Sequence, residues 1–306
     1  MKLISVKTIL GLSGLLLMAA CTNELVDSAA DGARAISFTS AAETRAAVEG
    51  NALPADFKVW GGYDGNAVNV FNGETVQYPN WTYTGGTQYW IPGKTYNFYG
   101  VYPVSVNASC ASDGTLTVSD FDCSKTGDDA VDLMTASQTG ISYAAGVTPQ
   151  PVAMNFGHEL AKVKFTVESV RHSVILTEVF FYGINYVGTF KSPNQWLDLS
   201  EATIDNTPFE KKNVELTETN LSQDLFGDIL LIPHTDLTNA KLSISYKYVG
   251  EDELHVSEAS LRISTVSEWI KNSSYHYKVS IPANATDVSL TVSVDKWNTV
   301  DTSVEW

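Results

Sequence analysis

Three cysteines, five histidines and a few clustered carboxylates hold most of the reactive chemistry in this 306-residue chain, and one of them sits in a pattern that uses it. Cys21 follows Leu17-Met18-Ala19-Ala20, which looks like a bacterial lipobox with Met18 where Leu is more usual. Cleavage after Ala20 frees a new N-terminal cysteine whose thiol and amine both accept acyl chains. Upstream, Lys2 and Lys7 form a basic head, and Ile9 to Ala20 is an apolar run too short to span a bilayer. Residues 1–20 therefore read as a lipoprotein signal peptide. Acyl chains on Cys21 give an anchor rather than a span.

Cys110 and Cys123 are the other two thiols. Outside the cytoplasm such a pair forms one disulfide or remains as two inert thiols, and both readings stand. A hairpin at Asp113-Gly114 sets Cys110 opposite Thr117, so a bridge to Cys123 has to cross to another strand or loop. The histidines (His158, His172, His234, His255 and His276) show no metal-ligand spacing with one another or with cysteine. His158-Glu159 is half of a metalloprotease motif with no second histidine at the required offset. Asp128, Asp129 and Asp132 lack the spacing of a calcium loop and read as a solvated acidic segment. Neither a Gly-x-Ser-x-Gly elbow nor a phosphate-binding glycine loop is present. The expectation is no catalytic residue, no metal, no cofactor and no enzyme activity. With 35 acidic against 19 basic residues, a net charge of −16 and no basic stripe, nucleic acid is excluded as a partner.

The elements that carry these residues read as β throughout. Runs rich in Thr, Ser, Val and Tyr are broken by Gly, Asn, Asp and Pro. Ile36 to Thr39 alternates apolar with polar and predicts a short strand. Further strands are expected at Phe57–Tyr63, Thr95–Tyr102, Leu116–Phe121, Val163–Val167, Ile175–Tyr182, Asp228–Ile232, Leu242–Val249, Ser260–Ser264, Tyr275–Ile281 and Val288–Val294. Asn72-Gly73 and Gly85-Gly86 read as hairpin turns, and Glu215 to Leu225 as a short helix. Thr148-Pro149-Gln150-Pro151 marks a boundary by composition. The result is an all-β protein of two sandwiches, with an N-terminal domain at 46–150 and a C-terminal domain at 151–306. The first is rich in aromatics, including Trp60, Trp81, Trp90, Tyr96 and Phe98. They serve either as core and cross-strand pairs or as a platform for sugar rings.

Several segments together resemble the fimbrillins, the lipoprotein pilins of type V pili. They are Phe71-Asn72-Gly73, Thr95-Tyr96-Asn97-Phe98-Tyr99-Gly100-Val101-Tyr102-Pro103 and Asp132-Leu133-Met134-Thr135-Ala136. The strongest is Phe156-Gly157-His158-Glu159-Leu160-Ala161-Lys162-Val163-Lys164-Phe165-Thr166-Val167. Leu230-Leu231-Ile232-Pro233 and Trp269 with Tyr275 and Tyr277 extend the match. Asn272 departs from the family's usual Gly, and His234 from a common Gln. The resemblance implies two tandem transthyretin-like, Greek-key sandwiches. It implies an adhesive pilus subunit at the outer membrane and cell surface, with a propeptide at 21–45. A trypsin-like protease cuts after Arg45, which follows the removable strand holding Ile36 and Phe38. A donor strand from the neighbouring subunit then fills the groove, and the strict period two of Val288, Leu290, Val292 and Val294 fits that role. The implied partners are other pilin subunits, the protease, the lipid anchor and a host or bacterial surface receptor. The alternative function is a surface lipoprotein that binds glycans through the aromatic first domain.

Replacing Cys21 by Ala is expected to abolish labelling with radioactive fatty acid and to move the protein out of the detergent phase. Equal labelling and partitioning of the two forms would exclude the lipoprotein reading.

Overall fold

Side-chain alternation decides the fold, because period two gives every strand one face to bury and one to solvate. The computed structural model describes residues 33–42, 55–169, 172–217, 219–282 and 288–296, and those from Arg34 on belong to one unit. Cys21, Arg45 and the Lys2–Ala20 signal lie outside the described residues. The described chain is all-β, with one 3-10 turn at Gly127–Asp129.

Nine strands come from the first half: β1 (Phe38–Ala42), β2 (Phe57–Tyr63), β3 (Phe71–Gln77), β4 (Thr82–Tyr83), β5 (Thr95–Tyr102), β6 (Ala108–Cys110), β7 (Leu116–Asp122), β8 (Met134–Ser142) and β9 (Val152–His158). Seven of them form one sheet in the order β1-β9-β8-β5-β2-β3-β4. The sheet rolls around a core that includes Phe38, Phe57, Val59, Phe71, Tyr96, Phe98, Met154 and Phe156. Its two edges meet: the Tyr83 hydroxyl on β4 donates to the Ile36 carbonyl at 3.1 Å, just before β1. Because β9 is in this sheet, the Pro149-Pro151 segment is a loop inside the first sheet, not its end. Asn72-Gly73 is likewise not a hairpin turn. It lies within β3, where the β2–β3 register shifts and Gly73 adopts φ 95°, as a β-bulge does.

The second half supplies β10 (Ala161–Ser169), β11 (Val174–Tyr182), β12 (Ile184–Lys191), β13 (Gln195–Ala202), β14 (Glu210–Leu216), β15 (Ser222–Asp224), β16 (Ile229–Leu231), β17 (Lys241–Tyr248), β18 (His255–Ser260), β19 (Ser273–Ile281) and β20 (Ser289–Lys296). One sheet has the order β15-β10-β19-β20, with β16 also on β10, and the other has β14-β11-β17-β18. They form a sandwich. Ala161, Val163, Phe165 and Val167 of β10 are all buried, while Lys162 and Lys164 point outward to Asp228 and Asp224. Phe165 meets Phe181 of the facing sheet at 5.1 Å between ring centroids. The expected helix at Glu215–Leu225 is instead the end of β14, a tight turn at Thr217–Asn220 and β15. The strand expected at Ser260–Ser264 lies earlier, as β18.

A fourth sheet ties the halves together, in the order β13-β12-β7-β6. The β6–β7 hairpin leaves the first half and pairs through β7 with β12, placing Phe121 opposite Gly188 and Val118 opposite Phe190. Trp60, Val101, Leu116, Val118 and Phe121 accordingly share one core with the second sandwich. The chain passes from β11 to β12, and so from one sheet to another, at Gly183. Its φ is 73°, and a Cβ there would lie 2.1 Å from the Asn239 carbonyl, so only glycine fits.

Polar groups inside the second core are chained. The buried Trp269 indole N–H donates to the Tyr277 oxygen at 3.0 Å, and the Tyr277 hydroxyl donates to the Leu261 carbonyl at 2.9 Å. Tyr277→Phe leaves both partners unpaired, and the expected cost is about 1–3 kcal/mol. It should appear as a lower urea midpoint with an unchanged slope. A midpoint equal to wild type would mean that the chain contributes nothing net.

Candidate functional site

The segment Arg34–Ala42 closes the first core and is held by strands far from it in sequence. Ile36, Phe38 and Ser40 point inward and are buried, and Arg34 and Ser37 are exposed. On one stretch the Ile36 N–H donates to the Gln88 carbonyl at 2.8 Å, and the Trp90 N–H donates to the Arg34 carbonyl at 2.9 Å. Beyond it, β1 runs parallel to β9, from Phe38 opposite Val152 to Ala42 opposite Phe156. Among the described residues, the backbone partners of the segment in β9 and at Gln88–Trp90 are remote along the chain.

Phe38 is the keystone of this arrangement. Its ring stands edge-on to Phe71 at 5.3 Å, Phe98 at 5.6 Å, Tyr83 at 6.0 Å and Phe57 at 6.4 Å. Four strands therefore contribute one aromatic wall each to a slot that Phe38 fills. Edge-to-face pairs of this kind contribute about 0.5–1.5 kcal/mol each beyond area burial. Burial pushes the Tyr83 hydroxyl above its ordinary pKa, so the phenol stays neutral and keeps its bond to Ile36. Trp90 closes the end of the slot against Tyr96 at 4.8 Å, its indole N–H buried without a partner.

The residues expected to donate a strand are in β20 and just before it. β20 pairs along its length with β19, from Ser289 opposite Ser280 to Lys296 opposite Ser273. The apolar side of this run is graded: Val288 is buried, Leu290 and Val292 are half-buried against the second core, and Val294 is 50% exposed. β20 ends its sheet, so its outer edge has no strand on it among the described residues.

Other expected residues do not converge on this seam. Cys110 and Cys123 are free thiols. The hairpin register sets Cys110 opposite Leu116 rather than Thr117. Burial pushes the Cys110 thiol up to about 11 and raises Cys123 further still, so neither is a ready nucleophile. Asp128 and Asp129 are exposed, whereas Asp132 turns inward to His158 Nδ1 at 2.7 Å. No three metal-ligating side chains gather among the described residues. The aromatics of the first half form no surface platform as a group: Trp60, Trp90, Tyr96 and Phe98 are core residues. Asn272, in the turn ahead of β19, has φ 59°, in the left-handed region that asparagine tolerates.

One buried charge cluster went unnoticed in the sequence. Glu159 follows β9 and is buried; its carboxylate accepts from the Thr135 hydroxyl at 2.6 Å and from Lys271 Nζ at 2.8 Å. Burial is the largest influence on this carboxyl and raises its pKa, with Lys271 and Thr135 pulling in the other direction. The signal was a glutamate standing directly before the apolar start of β10.

Comparison with known proteins agrees with this architecture. The fimbrillin-like family model matches residues 39–297. A fimbrial protein from Bacteroides vulgatus is similar in fold, with a TM-score of 0.56 at 17% identity over 86% of this chain and 99% of that one. A candidate cell adhesion protein from Bacteroides ovatus gives a TM-score of 0.58 at 14% identity over 89% of this chain and 100% of the other. No curated protein matches the sequence. With the family model covering most of its length, the chain belongs to the fimbrillin-like family.

Proposed function

We propose that this protein is an exported lipoprotein, anchored through Cys21, that becomes a structural and adhesive subunit of a surface fimbria. Cleavage after Arg45 releases the segment carrying Ile36 and Phe38. A strand from a second subunit takes its place.

The observation that carries this reading is the seam. Residues Arg34–Ala42 fill the first core with Phe38, and the described residues that bind their backbone are remote along the chain. Such a strand can leave without breaking a hairpin. Its departure exposes the five β9 residues from Val152 to Phe156 as a bare edge beside an aromatic slot. An edge with alternating pockets is what strand addition uses. Ile36 and Phe38 together represent roughly 3–6 kcal/mol of burial. That is comparable with the whole stability of many domains, about 5–15 kcal/mol. A cut subunit is therefore strongly driven to accept a replacement. The donor is the C-terminal run from Val288 to Val294, whose outermost apolar residue is half exposed in the monomer.

Three variants test the model. Arg45→Ala is expected to stay a full-length monomer after treatment with a trypsin-like protease, while the wild type forms concentration-dependent polymers whose N-terminus is Ala46. Polymers of uncut Arg45→Ala would overturn the processing step. Val294→Asp changes a half-exposed side chain, so monomer stability should move by no more than about 0.5 kcal/mol. Its polymerisation should nevertheless be abolished, because the donor face would carry a charge into an apolar slot. Normal polymers from Val294→Asp would remove this run as the donor. Phe38→Ala should destabilise the uncut monomer by about 3–5 kcal/mol in denaturant. It should leave polymers of the cut form unchanged, since that residue is gone from them.

A further inference from the structure

The outward face of β8 and β9 is polar where the rest of the same sheet packs onto its neighbour. Inward, Met134, Ala136, Met154 and Phe156 belong to the first core. Outward, Thr135, Ser137 and Asn155 form the floor of a cleft of about 630 Å3 at the junction of the two halves. Its walls come from the β6–β7 turn, the Ser192-Pro193 turn between β12 and β13, and Lys271-Asn272 ahead of β19. This size is within the range of roughly 300–1,000 Å3 that small ligands occupy.

The chemistry of the lining is specific. Glu159 and Lys271 neutralise one another, so the cleft's one ammonium is already committed to a carboxylate. Asp113 at the rim is exposed, and hydrogen bonds from Thr115 lower its pKa, which keeps it anionic. An anionic ligand therefore finds no spare cation, in a protein whose net charge is −16. A peptide finds no deep apolar pocket, because the lining is mostly hydroxyl, amide and charged side chains. Among the described residues, the side chains of Ser137, Asn155 and Asn272 hydrogen-bond to nothing in the chain, so their donors and acceptors face the cleft uncommitted. Tyr99 lies along the same wall, and Gly114 leaves room for it: a Cβ at Gly114 would sit 2.2 Å from the Tyr99 oxygen.

We infer that this junction cleft binds an uncharged saccharide of one or two sugar units. Each sugar hydroxyl both donates and accepts, and the free amides of Asn155 and Asn272 with the Ser137 hydroxyl offer both roles in one cleft. The Tyr99 ring supplies the apolar surface that a sugar's C–H face needs. The cleft borders the seam at Asn155, which lies opposite Ala41 of β1, but Phe38 is not part of it, and the uncut monomer presents it complete.

Calorimetric titration of the uncut, full-length monomer tests this. The probes are lactose, cellobiose, chitobiose and N-acetyllactosamine, with sialyllactose as the anionic comparison. At least one neutral disaccharide should bind saturably and more tightly than sialyllactose. The paired Ser137→Ala and Asn155→Ala substitution should weaken that binding by about tenfold or more, as loss of two hydrogen-bonding groups does. Both positions are exposed, so the melting midpoint should hold. Asn155→Asp, which preserves shape, should weaken binding as well, and so gives a reading even if the double variant is unstable. Tyr78→Ala, on an exposed aromatic outside the cleft lining, should leave the affinity within about twofold. The proposal falls if no neutral disaccharide binds, if sialyllactose is preferred, if the cleft variants bind like wild type, or if Tyr78→Ala is the variant that loses binding.

Discussion

One ring determines whether the first half of this protein has a core. Phe38 enters between Phe57, Phe71, Tyr83 and Phe98, which come from four different strands. Apolar burial is non-directional, so the slot's demand is for an apolar side chain on an extended backbone. The backbone supplies the rest of the requirement through β9 and Gln88–Trp90. Because both demands are generic, the seam selects for an alternating apolar pattern on an extended strand and not for one particular sequence. The second half is constructed differently: β10, β17 and β19 alternate strictly, and Lys162 and Lys164 of β10 are paired with Asp228 and Asp224 across the surface.

Much of this architecture was legible in the residues. Val163, Phe165 and Val167 alternate with Lys164 and Thr166, and β10 buries the first set as the pattern requires. Ile36 and Phe38 likewise signalled their own burial, although no local feature names the strands they meet. The prolines at 149 and 151 misled because composition reports that a loop is exposed and not which sheet the following strand joins. Pairing of β9 with β8 and with β1 is a long-range matter. Glu215–Leu225 misled for a related reason: Thr- and Glu-rich segments carry weak propensity, and the ladder to β11 decided the outcome. The junction cleft was illegible, since Tyr99, Asp113, Asn155 and Lys271 are each ordinary where they stand in the sequence and meet only through the fold.

The two halves are also chemically joined in two different ways. Glu159, between β9 and β10, sits where the first half hands over to the second, bonded to Thr135 on one side and Lys271 on the other. A buried carboxylate with that geometry fixes position more than it adds stability, because desolvation offsets much of the attraction. The fourth sheet, shared by the two halves, adds apolar contacts through Phe121, Phe190 and Trp196.

That shared sheet has a mechanical meaning. β7 and β12 join the halves by a backbone ladder from Thr117–Lys191 to Asp122–Val187, not by a bare linker. Pulling the halves apart must break several hydrogen bonds and open a shared core, so tension meets a stiff coupling instead of a hinge. A molecule connected in this way carries tension between its halves through backbone pairing as well as through apolar contact.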